Sequence, residues 1–175
     1  MPQAFKVYDG HYPHFVTCAI VHWIPVFRRE DYFAVLADSF RYCIEHRGLL
    51  LHGYVIMPDL FHAICSQTEG RLSLAIGQIK GYTSHQIAEM VRVDGRADWV
   101  RAMHPNASAT ANVWQDGFHP EEVHSRLFFE QKLRYIHENP VRAGFVEDPC
   151  AWKYSSAGIY YKDEASIIPV AGIEW

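Results

Sequence analysis

The sequence lacks a surplus of positive charge and long apolar segments. Its 175 residues carry 16 lysines and arginines against 20 aspartates and glutamates, which gives a formal net charge of −4. Proteins that bind nucleic acid usually show a basic surplus, so this balance does not favour such a partner, although it leaves room for a local basic groove. No apolar run approaches the length of a membrane span, and the N-terminal segment lacks the apolar core of a signal peptide.

Paired cysteines are also missing. The four cysteines are scattered and form no CxxC pair. Cys18, Cys43 and Cys65 lie in apolar segments, and Cys150 does not. This pattern predicts free thiols in a cytoplasmic protein, and it argues against disulfides and zinc ligands. Hydrophobic residues make up 49% of the chain and charged residues 21%, so we expect one globular domain spanning residues 1–175.

The order of apolar patterns predicts a central antiparallel sheet covered by helices. β-Branched and aromatic residues predict a strand at His14–Ile20. Two apolar runs, Leu49–Met57 and Phe61–Ser66, are joined by the turn signal Pro58-Asp59, which predicts neighbouring antiparallel strands. Apolar residues at helical spacing predict three helices, over Arg29–His46, Leu72–Val93 and Leu127–Glu138.

The remaining segments are less regular. The polar segment Arg92–Asn112 is predicted to be a loop, Val113–Phe118 a strand, and the chain from Gly144 onward loop-rich. Asn139-Pro140 is predicted to end the third helix, because the residue before a proline disfavours the helical region. We therefore expect an α+β fold, a ferredoxin-like two-layer sandwich with its helices mainly on one face of the sheet.

The stretch YVIMPDLFHAI, residues 54–64, is built like a strand that presents a metal ligand. Side chains alternate along a strand, so residues 60 and 62 share a face, and His-x-His would aim two imidazoles at one metal. This chain has Leu60 and His62 instead. A lone histidine on an apolar strand is more often a satisfied structural residue than a ligand. The neighbouring Asp59 is assigned to the turn.

Two further stretches stay ambiguous on spacing alone. In LRYIHENPVRAGFV, Tyr135 and Asn139 are four residues apart and share a helix face. That spacing also fits a core tyrosine followed by a helix stop, and on spacing alone this structural role is favoured. In WQDGFHPEEV, Trp114 suits stacking on a nucleobase, and it equally suits an ordinary hairpin edge.

Taken together, the motifs resemble those of a known family. The ordered set is FVT, YVIMPDxxHAI, IKGYTSHQI, VWQDGFHPE, YIHENPVRAGFVEDP and WKYSSA. It resembles the REP-associated tyrosine transposases, which are single-tyrosine transposases of the HUH nuclease superfamily. The resemblance extends from about residue 14 to residue 161. Its most specific part is YIHENPVRAGFVEDP followed by WKYSSA.

The resemblance implies a site and an activity. In this family a His-hydrophobic-His motif holds a divalent metal, usually magnesium or manganese. Its second histidine falls on His62, but its first falls on Leu60, where this sequence departs from the pattern. The nucleophilic tyrosine falls on Tyr135 and a third metal ligand on Asn139. The implied reaction cleaves and rejoins single-stranded DNA at hairpin sequences: the tyrosine hydroxyl attacks a phosphate, forms a phosphotyrosine and releases a 3′-hydroxyl.

The departure at position 60 leaves several functions open. Leucine has no lone pair to offer, so we expect weak or absent cleavage unless Asp59, His52 or another group supplies a donor. The chain is then either an active single-strand nickase and transposase or a catalytically decayed relative that still binds hairpin or single-stranded DNA. An unrelated α+β protein with a different ligand is the third alternative. A substitution introduced at position 60 would also account for the departure.

The implied partner is single-stranded or hairpin DNA, with no membrane, and monomer and homodimer both stay open. Basic residues of the second and third helices and of the loop after the second helix are expected to line one groove for the DNA backbone. The predicted DNA-binding set is Arg71, Lys80, Arg92, Arg96, Arg101, Lys132, Arg134 and Arg142, with Trp114 as a stacking residue.

Overall fold

The computed structural model describes residues 12–104, 111–173 and 175. Its sheet has four antiparallel strands in the order β2-β3-β1-β4. The strands are β1 His14–Ala19, β2 Leu49–Ile56, β3 Leu60–Gln67 and β4 Glu121–Glu122. The predicted β2–β3 hairpin is confirmed, with Val55 opposite His62. The strand predicted at 113–118 is wrong, since that segment contributes only the isolated bridge between Trp114 and Ile20, and β4 follows it.

Five helices accompany the sheet among the described residues. They are α1 Glu30–Arg47, α2 Leu72–Val93, α3 Ala97–Met103, α4 Arg126–Arg142 and α5 Ala157–Lys162. The path β1-α1-β2-β3-α2-β4, together with the strand order, is the ferredoxin-like arrangement, and the predicted α+β class is confirmed. Within the described part of the chain, no helix is both long and apolar enough to cross a membrane.

The sheet separates two apolar cores, because alternate side chains point to opposite faces. One face, with Val16 and Phe61, packs under α1 and α2. The other face, with Phe15 and Ile64, packs under α4 through residues such as Leu133. The prediction that the helices pack mainly on one face holds for α1 and α2, whereas α4 covers the other face. The sandwich gains a third layer on the face that carries His62.

One helix end and one predicted loop differ from their predictions. Helix α4 does not end at Asn139-Pro140 but continues to Arg142 with Pro140 inside it. Proline removes one helical hydrogen bond, but this proline is buried near the helix end, where Ala143 N–H still donates to the Asn139 carbonyl at 3.0 Å. The loop predicted over 92–112 contains α3, whose Met103 is fully buried in the α1/α2 core. Tertiary burial outweighs the polar composition of that segment.

The close approach of α4 to β2 depends on one glycine. A Cβ added at Gly53 would lie 2.5 Å from Leu133 Cδ1, well inside van der Waals contact. Leu133 is itself buried, so it has little room to withdraw. Gly53 therefore sets the distance between the sheet and the helix that carries Tyr135.

We expect Gly53→Ala to lower the free energy of unfolding by about 1–3 kcal/mol, because it overpacks the α4 face. Denaturant unfolding followed by circular dichroism measures this. The matched control is Gly77→Ala on α2, where an added Cβ meets nothing within 4 Å. That change should stabilise the protein by up to about 1 kcal/mol through helix propensity. Equal effects of the two substitutions would contradict the packing role of Gly53.

Candidate active site

Tyr135 and His62 meet on the α4 face of the sheet. Their ring centroids lie 5.5 Å apart with the rings at 66°, an edge-to-face contact. Phe15 of β1 completes the group: its ring stacks on His62 at 5.4 Å and meets the Tyr135 ring edge-on at 6.0 Å. The structure thus brings together the two residues to which the family resemblance assigns nucleophile and ligand roles.

Tyr135 is not a core tyrosine. Its side chain is 44% exposed, and within the described residues no hydrogen bond occupies its hydroxyl. The Arg142 guanidinium lies 4.6 Å from the ring centroid and donates to the Tyr135 carbonyl at 2.9 Å. The aromatic ring is therefore held from two sides while the hydroxyl stays open to a ligand, which excludes the buried structural role that spacing alone favoured.

His62 is buried and oriented by β1. Its Nδ1 lies 2.8 Å from the Thr17 hydroxyl, and only 5% of the residue is exposed. Burial, followed by the positive charges of Arg142 and Lys132, lowers the pKa of His62 from its usual value to about 4. The imidazole is therefore neutral near pH 7. Thr17 lies directly opposite His62 in the strand register, so the pairing of β1 with β3 determines this contact.

Asn139 lies one helical turn beyond Tyr135, on the same side of α4. Its Nδ2 is buried and has no hydrogen-bond partner in the described part of the chain, which is uncommon for a purely structural amide. His137, two residues earlier, faces elsewhere: its Nε2 contacts the Ser156 hydroxyl at 2.8 Å. Burial lowers the pKa of His137 to about 4. His137 thus belongs to the packing of α4 rather than to the Tyr135 site.

The residues present do not fit a divalent metal centre. Leu60 shares the face of His62, as predicted, but its partly buried side chain packs into the apolar core and offers no donor. Among the described residues, no three His, Cys, Asp or Glu side chains are grouped to hold a metal ion. Asp59 lies in the turn between β2 and β3. His52 does not supply the missing donor, because its ring nitrogens contact the Ala171 carbonyl and the Ser66 hydroxyl.

The donors and charges around His62 also disfavour a bound divalent metal. The resemblance implies two imidazoles and one amide as donors, whereas only one imidazole and one amide are present here. The charges of Lys132 and Arg142 both act on His62, and they would also repel a cation placed beside it. The magnesium or manganese implied by the resemblance has neither its full donor set nor a negative environment at this site.

The cations of α4 surround the Tyr135 site. Lys132 Nζ lies 4.7 Å from the Phe15 ring centroid and pairs with Glu121 at 2.5 Å. Arg142 contacts the Tyr135 ring from the other side, and Arg134 is exposed next to Tyr135 in the sequence. Lys132 and Arg142 are paired with Glu121 and Glu138, whereas Arg134 has no ion pair among the described residues.

The rest of the predicted DNA-binding set does not belong to this surface. Arg71, Arg92, Arg96 and Arg101 lie on or beside α2, which packs on the opposite face of the sheet, and α3, which packs on α2. The prediction of one shared groove is therefore wrong. Lys80 is also misassigned, because its ammonium donates to the carbonyls of Gln115 and Gly117 and fixes that loop.

The stacking role predicted for Trp114 is wrong. The side chain is only 2% exposed, and its indole donates to the Thr83 hydroxyl at 2.9 Å inside the α1/α2 core. A buried indole of this kind cannot stack on a base. Sequence reasoning missed Phe15 and Thr17, which belong to the quoted FVT motif; pairing that strand with the one that bears His62 would have located both.

No protein-family model matches the chain, and the comparison with curated proteins gives no match either. Among solved structures, a REP-associated tyrosine transposase bound to a REP hairpin superposes with a TM-score of 0.68 at 17% identity. The match covers 99% of this chain and 94% of that one. The chain has the fold of a REP-associated tyrosine transposase. A protein assigned as a transposase from Deinococcus radiodurans matches with a TM-score of 0.50 at 16% identity, over 79% of this chain and 95% of that one.

The REP-associated tyrosine transposase fold agrees with the resemblance that the motifs carry. Motifs distant in the sequence meet in space, since FVT lies on β1, YVIMPDLFHAI spans the β2–β3 hairpin and YIHENP lies on α4. Strand pairing and the docking of α4 therefore bring these motifs together in space.

The two buried imidazoles predict acid sensitivity. Both have a pKa of about 4 in the folded chain, below the usual value near 6.5, so the unfolded state binds more protons between these limits. The free energy of unfolding should therefore fall as the pH drops from about 6.5 towards 4, by on the order of 3 kcal/mol for each imidazole. Denaturant titrations across this range measure the slope. His62→Gln should lower the slope of the free energy of unfolding against pH by about one proton. An unchanged slope would contradict the low pKa of His62.

Proposed function

We propose that this chain is a REP-associated tyrosine transposase relative that binds single-stranded or hairpin DNA on the α4 face. The observation that carries the proposal is the open Tyr135 hydroxyl beside the neutral His62 imidazole, flanked by Lys132 and Arg142. Two further findings support it. The fold is that of a transposase whose structure contains a REP hairpin, and the motifs that resemble the family converge at this site.

The charges of α4 suit a DNA backbone despite the acidic total. Lys132, Arg134 and Arg142 lie along one helix around Tyr135, whereas the acidic residues next to them are paired with these same cations. A phosphate that enters this surface replaces a carboxylate partner, which keeps the cations compensated. Phosphate contacts of this kind release counterions, so DNA binding should weaken as the salt concentration rises.

In the proposed reaction, the Tyr135 oxygen attacks a DNA phosphorus in line and the 3′-oxygen of the preceding nucleotide leaves. A covalent phosphotyrosine and a free 3′-hydroxyl result. Phenol has a pKa near 10, so the attack is slow without help in deprotonation and charge neutralisation. Arg142 and Lys132 supply positive charge near the phosphate, but the imidazole of the family motif is absent at Leu60. We therefore propose that DNA binding is the principal activity and that cleavage is weak.

A specific observation favours the second candidate function, a DNA-binding protein without cleavage. Leu60 packs against the same apolar cluster as Met57 and Ile136, so the chain uses the former ligand position for core packing. A decayed site of this kind would retain the cationic surface and lose the adduct. The two candidates share the DNA-binding face and differ only in whether Tyr135 becomes covalently linked.

The cationic face is tested by Lys132→Gln and Arg142→Gln. Each should weaken binding to a labelled hairpin oligonucleotide several-fold at low salt and reduce the salt slope by about 1, because one phosphate contact is lost. Fluorescence anisotropy over a salt series measures both quantities. The matched control is Arg92→Gln, since Arg92 is exposed, pairs with Glu89 and lies at the end of α2. Equal weakening by all three substitutions would show that binding is unspecific.

The proposed cleavage reaction is tested by the substitution Leu60→His. The new imidazole would share the face of His62 and would cost about 1–2 kcal/mol of apolar burial. With manganese present, the variant should give a covalent protein–DNA band on a denaturing gel where the parent chain gives little or none. Adding Tyr135→Phe to the same variant should abolish the band while hairpin binding persists.

The outcomes separate the two candidate functions. If Leu60→His folds, binds the hairpin and still forms no adduct with any hairpin of a sequence panel, the binding protein without cleavage is the better description. If the parent chain binds no single-stranded or hairpin DNA at low salt, both candidates fail and an unrelated ligand must be sought.

A further inference from the structure

A cleft with a volume of about 720 Å³ lies between α1 and α2. Tyr42 lines it from α1 and Tyr82 from α2, and these two residues are 51% and 56% exposed. Gly81 of α2 also lines the cleft, and a Cβ added there would meet nothing within 4 Å, so the missing side chain leaves this space open. The cleft, called here the helix cleft, therefore exposes aromatic surface that the folded chain does not cover.

Polar groups of the helix cleft have no partner within the described part of the chain. Ser39 lines the cleft and is only 6% exposed, yet its hydroxyl makes no hydrogen bond with any described residue. The Gln78 amide and the hydroxyls of Tyr42 and Tyr82 make none in the ranges 12–104, 111–173 and 175 either. Buried polar groups usually have a partner. Aromatic residues surrounded by polar groups that are free to bond are typical of a protein–protein interface.

The helix cleft carries one charge of each sign. Asp38 and Arg47 of α1 both line it, about 14 Å apart along the helix axis, and Tyr42 lies between them in the sequence. The Arg47 guanidinium lies 5.8 Å from the Tyr42 ring centroid and has no ion pair among the described residues. Asp38 is paired with Arg41 through one carboxylate oxygen, and its side chain is exposed. The cleft therefore has an acidic end and a basic end, with the tyrosines between them.

We propose that the helix cleft is the interface of a homodimer, in which the α1 and α2 helices of a second copy of this chain pack on the same cleft. A two-fold axis that passes near Tyr42, perpendicular to α1, makes the two α1 helices antiparallel. Asp38 of each copy then faces the partner's Arg47. A two-fold contact uses the same surface on both copies, so a surface with one acidic and one basic end is complementary to itself.

The charges of the helix cleft favour a second copy over other occupants. A nucleic acid backbone binds where cations are in surplus, whereas Asp38 and Arg47 cancel each other here. An uncharged apolar segment would leave both charges without a partner at the rim of the contact. The helix cleft also lies away from Tyr135, because α1 and α2 pack on the sheet face opposite α4. A dimer formed through this cleft leaves both α4 surfaces open, so the inference does not depend on the proposed function.

Sedimentation velocity of the full chain over a concentration series should show an equilibrium between monomer and dimer. Asp38→Arg and Arg47→Asp should each weaken dimerisation about tenfold or more, because like charges replace both ion pairs of the dimer. Tyr82→Ala should also weaken dimerisation, since central aromatic residues contribute much of the binding free energy of an interface. The matched control is Arg126→Asp, a charge reversal at an exposed arginine of α4 outside the cleft, which should dimerise like the parent chain.

An equimolar mixture of the Asp38→Arg and Arg47→Asp variants tests the pairing directly. In a dimer of one chain of each kind, one contact joins the two substituted side chains and the other joins the two unchanged ones, so both contacts again pair opposite charges. The mixture should therefore dimerise more tightly than either variant alone, and this recovery also shows that both variants fold. A parent chain that stays monomeric, charge variants that dimerise like the parent, or a mixture without recovery would each overturn this interface. None of these results would alter the DNA binding proposed for α4.

Discussion

The docking of α4 on the sheet face that carries His62 is the contact on which the site depends. Leu133 and Ile136 of α4 pack against Phe15 and Ile64 of the sheet, and the absence of a side chain at Gly53 permits the close approach. Because neighbouring positions on a helix turn by about 100°, the residues that face the sheet fix where the intervening side chains point. Tyr135, next to Ile136, is thereby held at the edge of the interface, half in contact with His62 and half open.

In this arrangement, the residues that orient His62 differ from those that supply positive charge near Tyr135. Strand pairing with β1 orients His62 through Thr17, and burial keeps its imidazole neutral. Cations on α4 place positive charge near Tyr135, and a bound metal would add charge that could neutralise a phosphate. The α4 cations therefore favour binding of a phosphate group more than its cleavage. Leu60 stands where the resemblance implies a ligand, and its side chain packs into the apolar cluster there.

The acidic total charge of the chain is a poor guide to its surface. Most cations outside α4 are engaged within the protein: Lys80 holds a loop, Arg29 pairs with two aspartates and Arg41 donates to the Ile167 carbonyl. Of the α4 cations, only Arg134 has no ion pair with a described residue, and it lies next to Tyr135. The positions of the cations, rather than the sum of all charges, therefore decide where an anion can approach.

The sequence by itself determined the β2–β3 hairpin, the long helices and the ferredoxin-like order, because these rest on local periodicity and turn chemistry that act over short distances. The family resemblance pointed to Tyr135, His62 and Asn139, and the rings of Tyr135 and His62 are in contact. Only the tertiary structure decided that α4 covers the opposite face, that Trp114 is buried and that the α2 arginines lie away from Tyr135. Those outcomes depend on which apolar surfaces meet across the whole chain, and no local pattern encodes that choice.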